Sequence, residues 1–201
     1  MIDANSASGV GGLLIGITGI VLTVFYARKA EQLNKMRKRL DWSDLQAAAS
    51  DLSQRIKSDF NPAAIITPGL TGATFANLLV TEFPGQPPVY VGTRTWKESA
   101  HSPKSESDSF LIETQKWIVT IPNSISEIRE GDLLIVDDFA MSGDFLELLR
   151  SKLEEAGIEK GRIHSCSLAV TKVAIKNHKS PDYYWWVADD DDFFFPWGKA
   201  R

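Results

Sequence analysis

The sequence has little cysteine and little histidine, and this scarcity narrows the chemistry that it can perform. Cys166 is the only cysteine among 201 residues, so no intrachain disulfide can form and a reducing compartment is expected. The three histidines, His101, His164 and His178, form no recognisable catalytic set with this cysteine. The chain also has no internal repeat. These features disfavour a disulfide scaffold, covalent cysteine catalysis and a repeat architecture.

The net charge of −4 is distributed unevenly along the chain. Residues 28–39 contain six cations and a single acid, Glu31, whereas the larger part that follows carries an excess of acids. An acidic body argues against nonspecific binding to nucleic acid. Hydrophobic residues make up 43% of the chain, which is ordinary globular usage. The length suits one domain with a core and an appendage.

A long uncharged segment precedes the basic cluster. Residues 7–27 are 21 residues without a charge, and about 20 apolar residues can cross a bilayer. The cations follow this segment, whereas a cleaved signal peptide would carry them in front. The positive-inside rule therefore predicts a single-pass helix with the N-terminus outside and the following domain in the cytoplasm. The alternative is a buried soluble helix, which the five glycines in residues 9–27 disfavour.

The pattern of the chain then predicts three parts: residues 1–27 with the membrane helix, a basic linker helix at 28–41, and a domain at 42–201. The linker cations could contact anionic headgroups or simply be solvated. Within the domain, periodicity predicts helices at 41–60, with Ser43 as the cap, and at 144–156. Strands are predicted at 87–96, 116–122, 132–138 and 162–172, and a strand, turn and helix at 63–80. Such alternation predicts an α/β fold, with a central, mainly parallel sheet flanked by helices.

The segment "LLIVDDFAMSGDFLELL" at 133–149 indicates a binding site. Its buried strand ends in Asp137 and Asp138, at the edge of a parallel sheet where ligands bind. Adjacent carboxylates can accept hydrogen bonds from vicinal sugar hydroxyls or help to hold a metal. The turn at Ser142-Gly143 opens a helix whose backbone N–H groups can cradle a phosphate. The alternative is that the acids merely end a strand and cap a helix. The whole pattern favours a phosphorylated sugar as the ligand.

This segment resembles the phosphoribosyl-pyrophosphate-binding motif of type I phosphoribosyltransferases, in which an apolar strand leads into two acids and a Thr/Ser-Gly loop. The resemblance extends over residues 41–198. The stretch "AAIITPGLTGATFANLL" is similar to the pyrophosphate loop of purine-type members, and "LAVTK", "PDYYWW" and "FPWG" resemble the hood of the hypoxanthine, xanthine and guanine enzymes. It implies the fold of the family, a parallel sheet with a small hood, and it is compatible with a homodimer because family members commonly dimerise.

The resemblance also implies roles for particular residues. Asp137 and Asp138 would be the catalytic acids that hold the ribose hydroxyls, and Mg²⁺ would reach them only through the substrate, phosphoribosyl pyrophosphate. The phosphoribosyl-binding residues would be Ala140, Met141, Ser142, Gly143, Asp144 and Phe145. The pyrophosphate-binding residues would be Leu70, Thr71, Gly72 and Arg94, and the base-binding residues would be Lys172, Trp186 and Phe193.

Simpler interpretations exist for some of these residues. Arg94 and its neighbour Lys97 are equally typical of a solvated surface, and the aromatic residues could pack the hood instead of a base. Lys172 could be a surface lysine. The polar segment 97–110 could close over the reaction as a lid or could be an ordinary loop.

Two positions depart from the purine enzymes. Met141 stands where they usually carry an acid that exchanges a proton with the purine, and methionine cannot perform acid–base work. Phe145 replaces the second hydroxyl residue of the loop. The sequence therefore supports two hypotheses: a membrane-tethered enzyme that transfers phosphoribose to a purine or purine-like base, and a membrane-tethered sensor that binds a phosphoribosyl compound or nucleotide without efficient turnover.

Overall fold

The structure, a computed structural model, describes residues 38–99 and 109–200, together with Thr23. The chain divides into two compact units, Met1–Arg39 and Leu40–Arg201. The predicted membrane helix therefore lies outside the described residues, except for Thr23, as does most of the predicted linker helix at 28–41. Among the residues that are described, no helix is both long and apolar enough to span a membrane.

The elements follow one another in an order typical of α/β proteins. A short strand, β1, ends the first unit. The elements are β1 (Lys38–Arg39), α1 (Trp42–Asp59), β2 (Pro62–Thr67), α2 (Leu70–Val80), β3 (Val89–Val91), β4 (Thr93–Trp96), β5 (Ser109–Glu113), β6 (Trp117–Pro122), a 3₁₀ helix (Asn123–Glu127), β7 (Asp132–Ala140), α3 (Asp144–Glu155), a 3₁₀ helix (Lys160–Arg162), β8 (Ile163–Thr171), α4 (Lys172–Lys176), β9 (Tyr183–Ala188), β10 (Phe193–Phe195) and β11 (Gly198–Lys199).

The central sheet has five strands in the order β3-β2-β7-β8-β9, and every neighbouring pair is parallel. This confirms the predicted α/β fold. In β7, Leu134 and Val136 join the core that contains α1 and α2, whereas Leu133 and Ile135 join the core that contains α3. Because side chains alternate along a strand, a continuous apolar run is what a strand covered on both faces requires.

The N-cap of helix α1 lies two residues earlier than the sequence predicted. Asp41, not Ser43, is the N-cap: its carboxylate accepts from the backbone N–H groups of Ser43 and Asp44. The carboxylate of Asp44 in turn accepts from the backbone N–H of Asp41 at 2.9 Å. A carboxylate is a better acceptor than a hydroxyl at the positive end of a helix, which explains the correction.

The predicted strand at 87–96 is in fact two strands, divided at Gly92. The N–H of Gly92 donates to the carbonyl of Thr67 at 2.7 Å, and a Cβ there would lie 2.6 Å from Cδ1 of Ile121. After this crowded point the chain leaves the central sheet, and β4, β6 and β5 form a small antiparallel sheet in that order. Residues 100–108 lie outside the described part, so the lid interpretation of 97–110 stays a prediction.

The hood of this chain consists of β9 and the C-terminal antiparallel hairpin β10–β11. In the hairpin, Phe195 pairs with Gly198. Its rings build an aromatic cluster: Phe193 contacts Phe139 at 5.1 Å and Trp186 at 4.7 Å between ring centroids. Since Phe139 directly follows the two acids on β7, this cluster fixes the hairpin above the C-terminal end of the central strand.

Candidate active site

A cavity of about 550 Å³ opens at the C-terminal end of β7. It collects side chains from α2, the small sheet, β7, the loop that follows β7, and the C-terminal hairpin. Its lining residues are Thr71, Arg94, Thr114, Trp117, Val119, Asp137, Asp138, Phe139, Ala140, Met141, Ser142, Gly143, Phe145, Leu146, Trp197, Gly198 and Lys199. Strands that end together at one edge of a parallel sheet produce this arrangement.

Two adjacent carboxylates form the floor of the cavity. Asp137 and Asp138 are only 5% and 8% exposed, and the N–H of Asp138 donates to Oδ1 of Asp137 at 3.0 Å. Burial raises the pKa of Asp137 well above its usual range, the charge of Asp138 raises it further, and Arg94 opposes both effects. Burial also raises the pKa of Asp138. The buried pair therefore favours a ligand that donates hydrogen bonds to it.

The first turn of α2 brings donors to this floor. The Thr71 side chain lines the cavity beside Asp138 and lowers the pKa of that carboxyl. Gly72 lets the helix approach closely, because a Cβ at this position would lie 2.9 Å from the carbonyl oxygen of Val136. Leu70 is 81% exposed and does not line the cavity. Of the three residues predicted for the pyrophosphate loop, Thr71 thus reaches the site by its side chain and Gly72 positions the helix.

Arg94 is a cation of the cavity whose charge acts on both acids. Its guanidinium carbon lies 5.9 Å from the ring centroid of Trp117, and its charge lowers the pKa values of Asp137 and Asp138. Its Nε lies 3.5 Å from the position that a Cβ on Gly69, the N-cap of α2, would take. A cation beside a helix N-terminus is suited to an anion such as pyrophosphate. Lys97 does not line the cavity; it forms an ion pair with Glu113 at 2.9 Å.

The loop after β7 is held by a network of polar contacts. The Thr171 hydroxyl donates to the backbone carbonyl of Met141. The Ser142 hydroxyl donates to Asp144 at 2.8 Å, and Asp144 also forms an ion pair with Lys179. The hydrogen bond from Lys179 lowers the pKa of Asp144. Because Lys179 offsets this carboxylate, the acid within the loop opposes a bound phosphate less than an unpaired charge would.

The same loop gives the cavity an apolar wall. Met141, which is 51% exposed, and Phe145 line the cavity together with Leu146 and Val119. Met141 occupies the position where the family resemblance predicts an acid, and its thioether has no group that can carry a proton. The loop can therefore bind a phosphate through its backbone N–H groups and Ser142, but Met141 cannot exchange protons with a base.

The structure does not bring the three predicted base-binding residues to the cavity. Lys172 begins α4, its side chain is 71% exposed, and it forms an ion pair with Asp189. Phe193 is 2% exposed and packs against Trp186 in the hood. Neither aromatic ring lines the cavity. Aromatic packing of the hood is the interpretation that fits these contacts.

Some lining residues were missed by reasoning from the sequence. Trp197 donates its indole N–H to Oδ2 of Asp138 at 3.2 Å, and Trp117 and Lys199 also line the cavity. The stretch "FPWG" had suggested only a hood. The tryptophan of this stretch was the available signal, since an indole N–H needs an acceptor when the ring is partly buried. For Trp117 and Lys199 we find no comparable signal in the sequence.

The described residues include no cluster of three or more His, Cys, Asp or Glu side chains that could enclose a metal ion. The two acids on β7 are the only carboxylates among the described residues that line the cavity. Mg²⁺ commonly keeps several waters and binds through one or two carboxylates and the phosphates of a substrate. The donor set fits a Mg²⁺ ion that arrives with a phosphorylated ligand.

A comparison with models of known protein families found a match over most of the described chain. The family model described as the phosphoribosyl transferase domain matches residues 40–200, which include the cavity. A comparison with curated proteins found no significant match.

Several solved structures share the fold. A purine phosphoribosyltransferase from Pyrococcus horikoshii is 22% identical with a TM-score of 0.56, covering 81% of this chain and 94% of its own. The xanthine-guanine-hypoxanthine phosphoribosyltransferase of Helicobacter pylori is 15% identical at the same TM-score of 0.56, with 81% and 94% covered. A hypothetical protein from Neisseria gonorrhoeae with bound ppGpp is 18% identical, also at 0.56, with 81% and 90% covered.

Proposed function

This chain belongs to the phosphoribosyl transferase family of enzymes, and from that premise we propose that it transfers the 5-phosphoribosyl group of phosphoribosyl pyrophosphate to a purine or purine-like base and releases pyrophosphate. One observation carries the proposal. Asp137 and Asp138 share one cavity with Thr71, Arg94 and the loop that follows β7. A ligand that has vicinal hydroxyls between two phosphoryl groups complements this arrangement.

Each part of the cavity has its own part in binding. The two acids accept hydrogen bonds from the ribose hydroxyls, and these hydrogen bonds stabilise the buried negative charge. The backbone N–H groups of residues 140–145 and the Ser142 hydroxyl hold the 5-phosphate at the N-terminus of α3. Thr71 and Arg94 lie where they can bind the pyrophosphate. The chain supplies positioning and electrostatic stabilisation and needs no covalent nucleophile.

Mg²⁺ is the proposed cofactor, and when bound it would neutralise charge on the pyrophosphate leaving group. Asp137 and Asp138 are the residues that would face it through the substrate. The polar segment 97–110 would exclude water by closing over the ligand. Arg94 on β4 would hold the pyrophosphate.

The purine part of the proposal is supported by fold likeness to the two purine enzymes from Pyrococcus horikoshii and Helicobacter pylori. Lys172, Trp186 and Phe193 would have to move relative to the cavity to contact a purine base. The proposal therefore names only the class of base, a purine or purine-like base.

A second candidate function has its own supporting observation. Met141 places a thioether at the proposed position of the general acid–base, so a ligand could bind without being turned over efficiently. The ppGpp-bound neighbour from Neisseria gonorrhoeae has a similar fold. In this alternative the cavity binds a phosphoribosyl compound or a nucleotide such as ppGpp and acts as a sensor.

In either case we propose that residues 7–27 anchor the protein in a membrane as a single span, with the N-terminus outside and the domain in the cytoplasm. The basic residues 28–39 support this orientation. A homodimer is compatible with this arrangement.

Pyrophosphate release separates the two functions. The purified full chain, in detergent with Mg²⁺ and phosphoribosyl pyrophosphate, would be assayed for pyrophosphate release with hypoxanthine, xanthine, guanine and adenine. Calorimetry would measure in parallel the binding of phosphoribosyl pyrophosphate and of ppGpp. Release with at least one base supports the transferase. Measurable binding without pyrophosphate release in the presence of any base would leave only the sensor function. If the chain binds neither phosphoribosyl pyrophosphate nor ppGpp, both proposed functions are refuted.

A further inference from the structure

We propose, resting on the function proposed above, that Trp197 is a positioning residue that sets the affinity of the site for the ribose of its ligand. It does so by donating its indole N–H to Asp138, one of the two acids at the floor of the cavity. The Nε1 to Oδ2 distance is 3.2 Å.

Ring contacts that do not involve Asp138 hold the Trp197 side chain. Its ring lies parallel to that of Phe195, with centroids 5.0 Å apart and planes inclined by 16°. The edge of Trp42 contacts it at 6.1 Å. Phe195 is itself 3% exposed and contacts Phe193 at 5.1 Å. The indole is therefore fixed by the hood, and the hood in turn fixes the direction from which Asp138 receives its hydrogen bond.

The chemistry of indole decides what this hydrogen bond can do. Indole nitrogen is a donor only, so Trp197 can stabilise Asp138 only as an acceptor, which is the form that ribose hydroxyls need. With this contact in place, the remaining lone pairs of the carboxylate are available to the ligand. A neutral donor does this without adding a positive charge that would repel Mg²⁺.

The electrostatic surroundings make the contact important. Asp137 is adjacent on the same strand, the charge of Arg94 on β4 acts on both acids, and Lys199 lines the cavity from β11. The loss of Trp197 would leave the buried carboxylate of Asp138 with one donor fewer and a less defined orientation.

The experiment compares two ligands that differ in the ribose. Calorimetry with Mg²⁺ would measure the binding of phosphoribosyl pyrophosphate and of inorganic pyrophosphate to the full chain. The variant Trp197→Phe retains a ring against Phe195 and lacks the N–H. Trp185→Phe, in the same aromatic core, is the matched control because it alters a tryptophan that does not line the cavity.

We expect Trp197→Phe to weaken phosphoribosyl pyrophosphate binding about tenfold, because the ribose hydroxyls would then meet a carboxylate whose orientation is no longer fixed. Pyrophosphate binding should stay within about twofold, and Trp185→Phe should leave both affinities unchanged. Unchanged or tighter binding of phosphoribosyl pyrophosphate would overturn the proposal, as would an equal loss for both ligands, which would indicate a structural role.

A second variant guards against misfolding. Replacing Trp197 with β-(3-benzothienyl)alanine retains the bicyclic shape and removes only the N–H, and it should reproduce the selective loss. If the wild-type chain binds pyrophosphate but not phosphoribosyl pyrophosphate, the proposed function fails before any variant is compared. If the wild type binds both and the variants show no selectivity, the role of Trp197 alone is refuted.

Discussion

The backbone carbonyl oxygen of Lys179 lies 2.0 Å from the position that a Cβ atom on Gly143 would occupy. Gly143 has a φ of +80°, in the left-handed region. The segment after α4 therefore covers the loop that follows β7 so closely that only glycine fits beneath it. Lys179 also forms an ion pair with Asp144, so one residue contacts the loop through both its backbone and its side chain.

The substitution Gly143→Ala should both destabilise the domain and weaken ligand binding. A left-handed alanine costs about 1–2 kcal/mol, and the collision with Lys179 forces the loop to shift in addition. Gly157→Ala is the matched control, because Gly157 has a φ of +93° with nothing within 4 Å of its Cβ position. Urea unfolding and calorimetry would compare the variants. Equal destabilisation by both substitutions, with unchanged ligand affinity, would contradict this view of the loop.

The double variant Asp137→Asn, Asp138→Asn should lose phosphoribosyl pyrophosphate binding and still fold. The amides keep the size of the side chains but cannot accept hydrogen bonds as charged groups, so affinity should fall by roughly 100-fold or more if each loss costs about 1.5–3 kcal/mol. Calorimetry would measure affinity and circular dichroism the fold. Unchanged affinity would refute the site, and an unfolded variant would indicate a structural function for the acids.

The stability of the domain should depend on pH through Asp137. Burial raises the pKa of this folded carboxyl well above its ordinary value, so the folded state binds the proton more tightly than the unfolded state. The folded state therefore loses relative stability as pH rises through the raised pKa. Asp137→Asn removes this dependence and should stabilise the domain at neutral pH.

Thermal unfolding of both proteins from about pH 4 to pH 8 tests this directly. The melting temperature of Asp137→Asn minus that of the wild type should grow with pH, by roughly 2–4 °C for each kcal/mol recovered. Asp138 titrates in the same environment, so its single variant should be measured alongside. A difference that shrinks as pH rises would show that the folded carboxyl is stabilised in its charged form.

The fold and the family could be predicted from the sequence because their signals are local. The apolar run before Asp137 and Asp138 and the turn at Ser142-Gly143 identify a strand, a ligand site and a helix without any knowledge of distant contacts. The parallel sheet and the family are confirmed. The approach of Arg94 to the proposed pyrophosphate site could only be suggested, since it depends on how two sheets meet.

The hood was harder to predict because its residues act at long range. Nothing near Lys172 in sequence says that its partner is Asp189, or that Phe193 turns into the core. Trp197 reaches Asp138 across 59 positions of the chain. Aromatic residues satisfy hydrophobic periodicity whether they face a ligand or a core, so periodicity could not separate these cases.

Deleting residues 1–27 should move the protein from the membrane to the soluble fraction. The deletion removes the uncharged segment and leaves the basic residues 28–39, which could still adsorb to anionic lipids. Membranes would therefore be washed at about 1 M salt, where such attraction is screened. The full chain should stay with the membrane in that wash. A deleted protein that also resists the wash would refute the proposed span.

Restoring an acid at position 141 should raise turnover if the chain is a transferase limited by proton transfer. Met141 lines the cavity one residue before Ser142 and is 51% exposed, so an aspartate could be accommodated there without burying its charge. General acid–base catalysis contributes about 10²–10⁴-fold to the rate, so Met141→Asp should increase pyrophosphate release towards that range. Met141→Asn is the control, because it is polar but cannot exchange a proton. An increase with both variants would implicate polarity alone, and no increase with either would favour the sensor, in which binding rather than transfer is the function of the cavity.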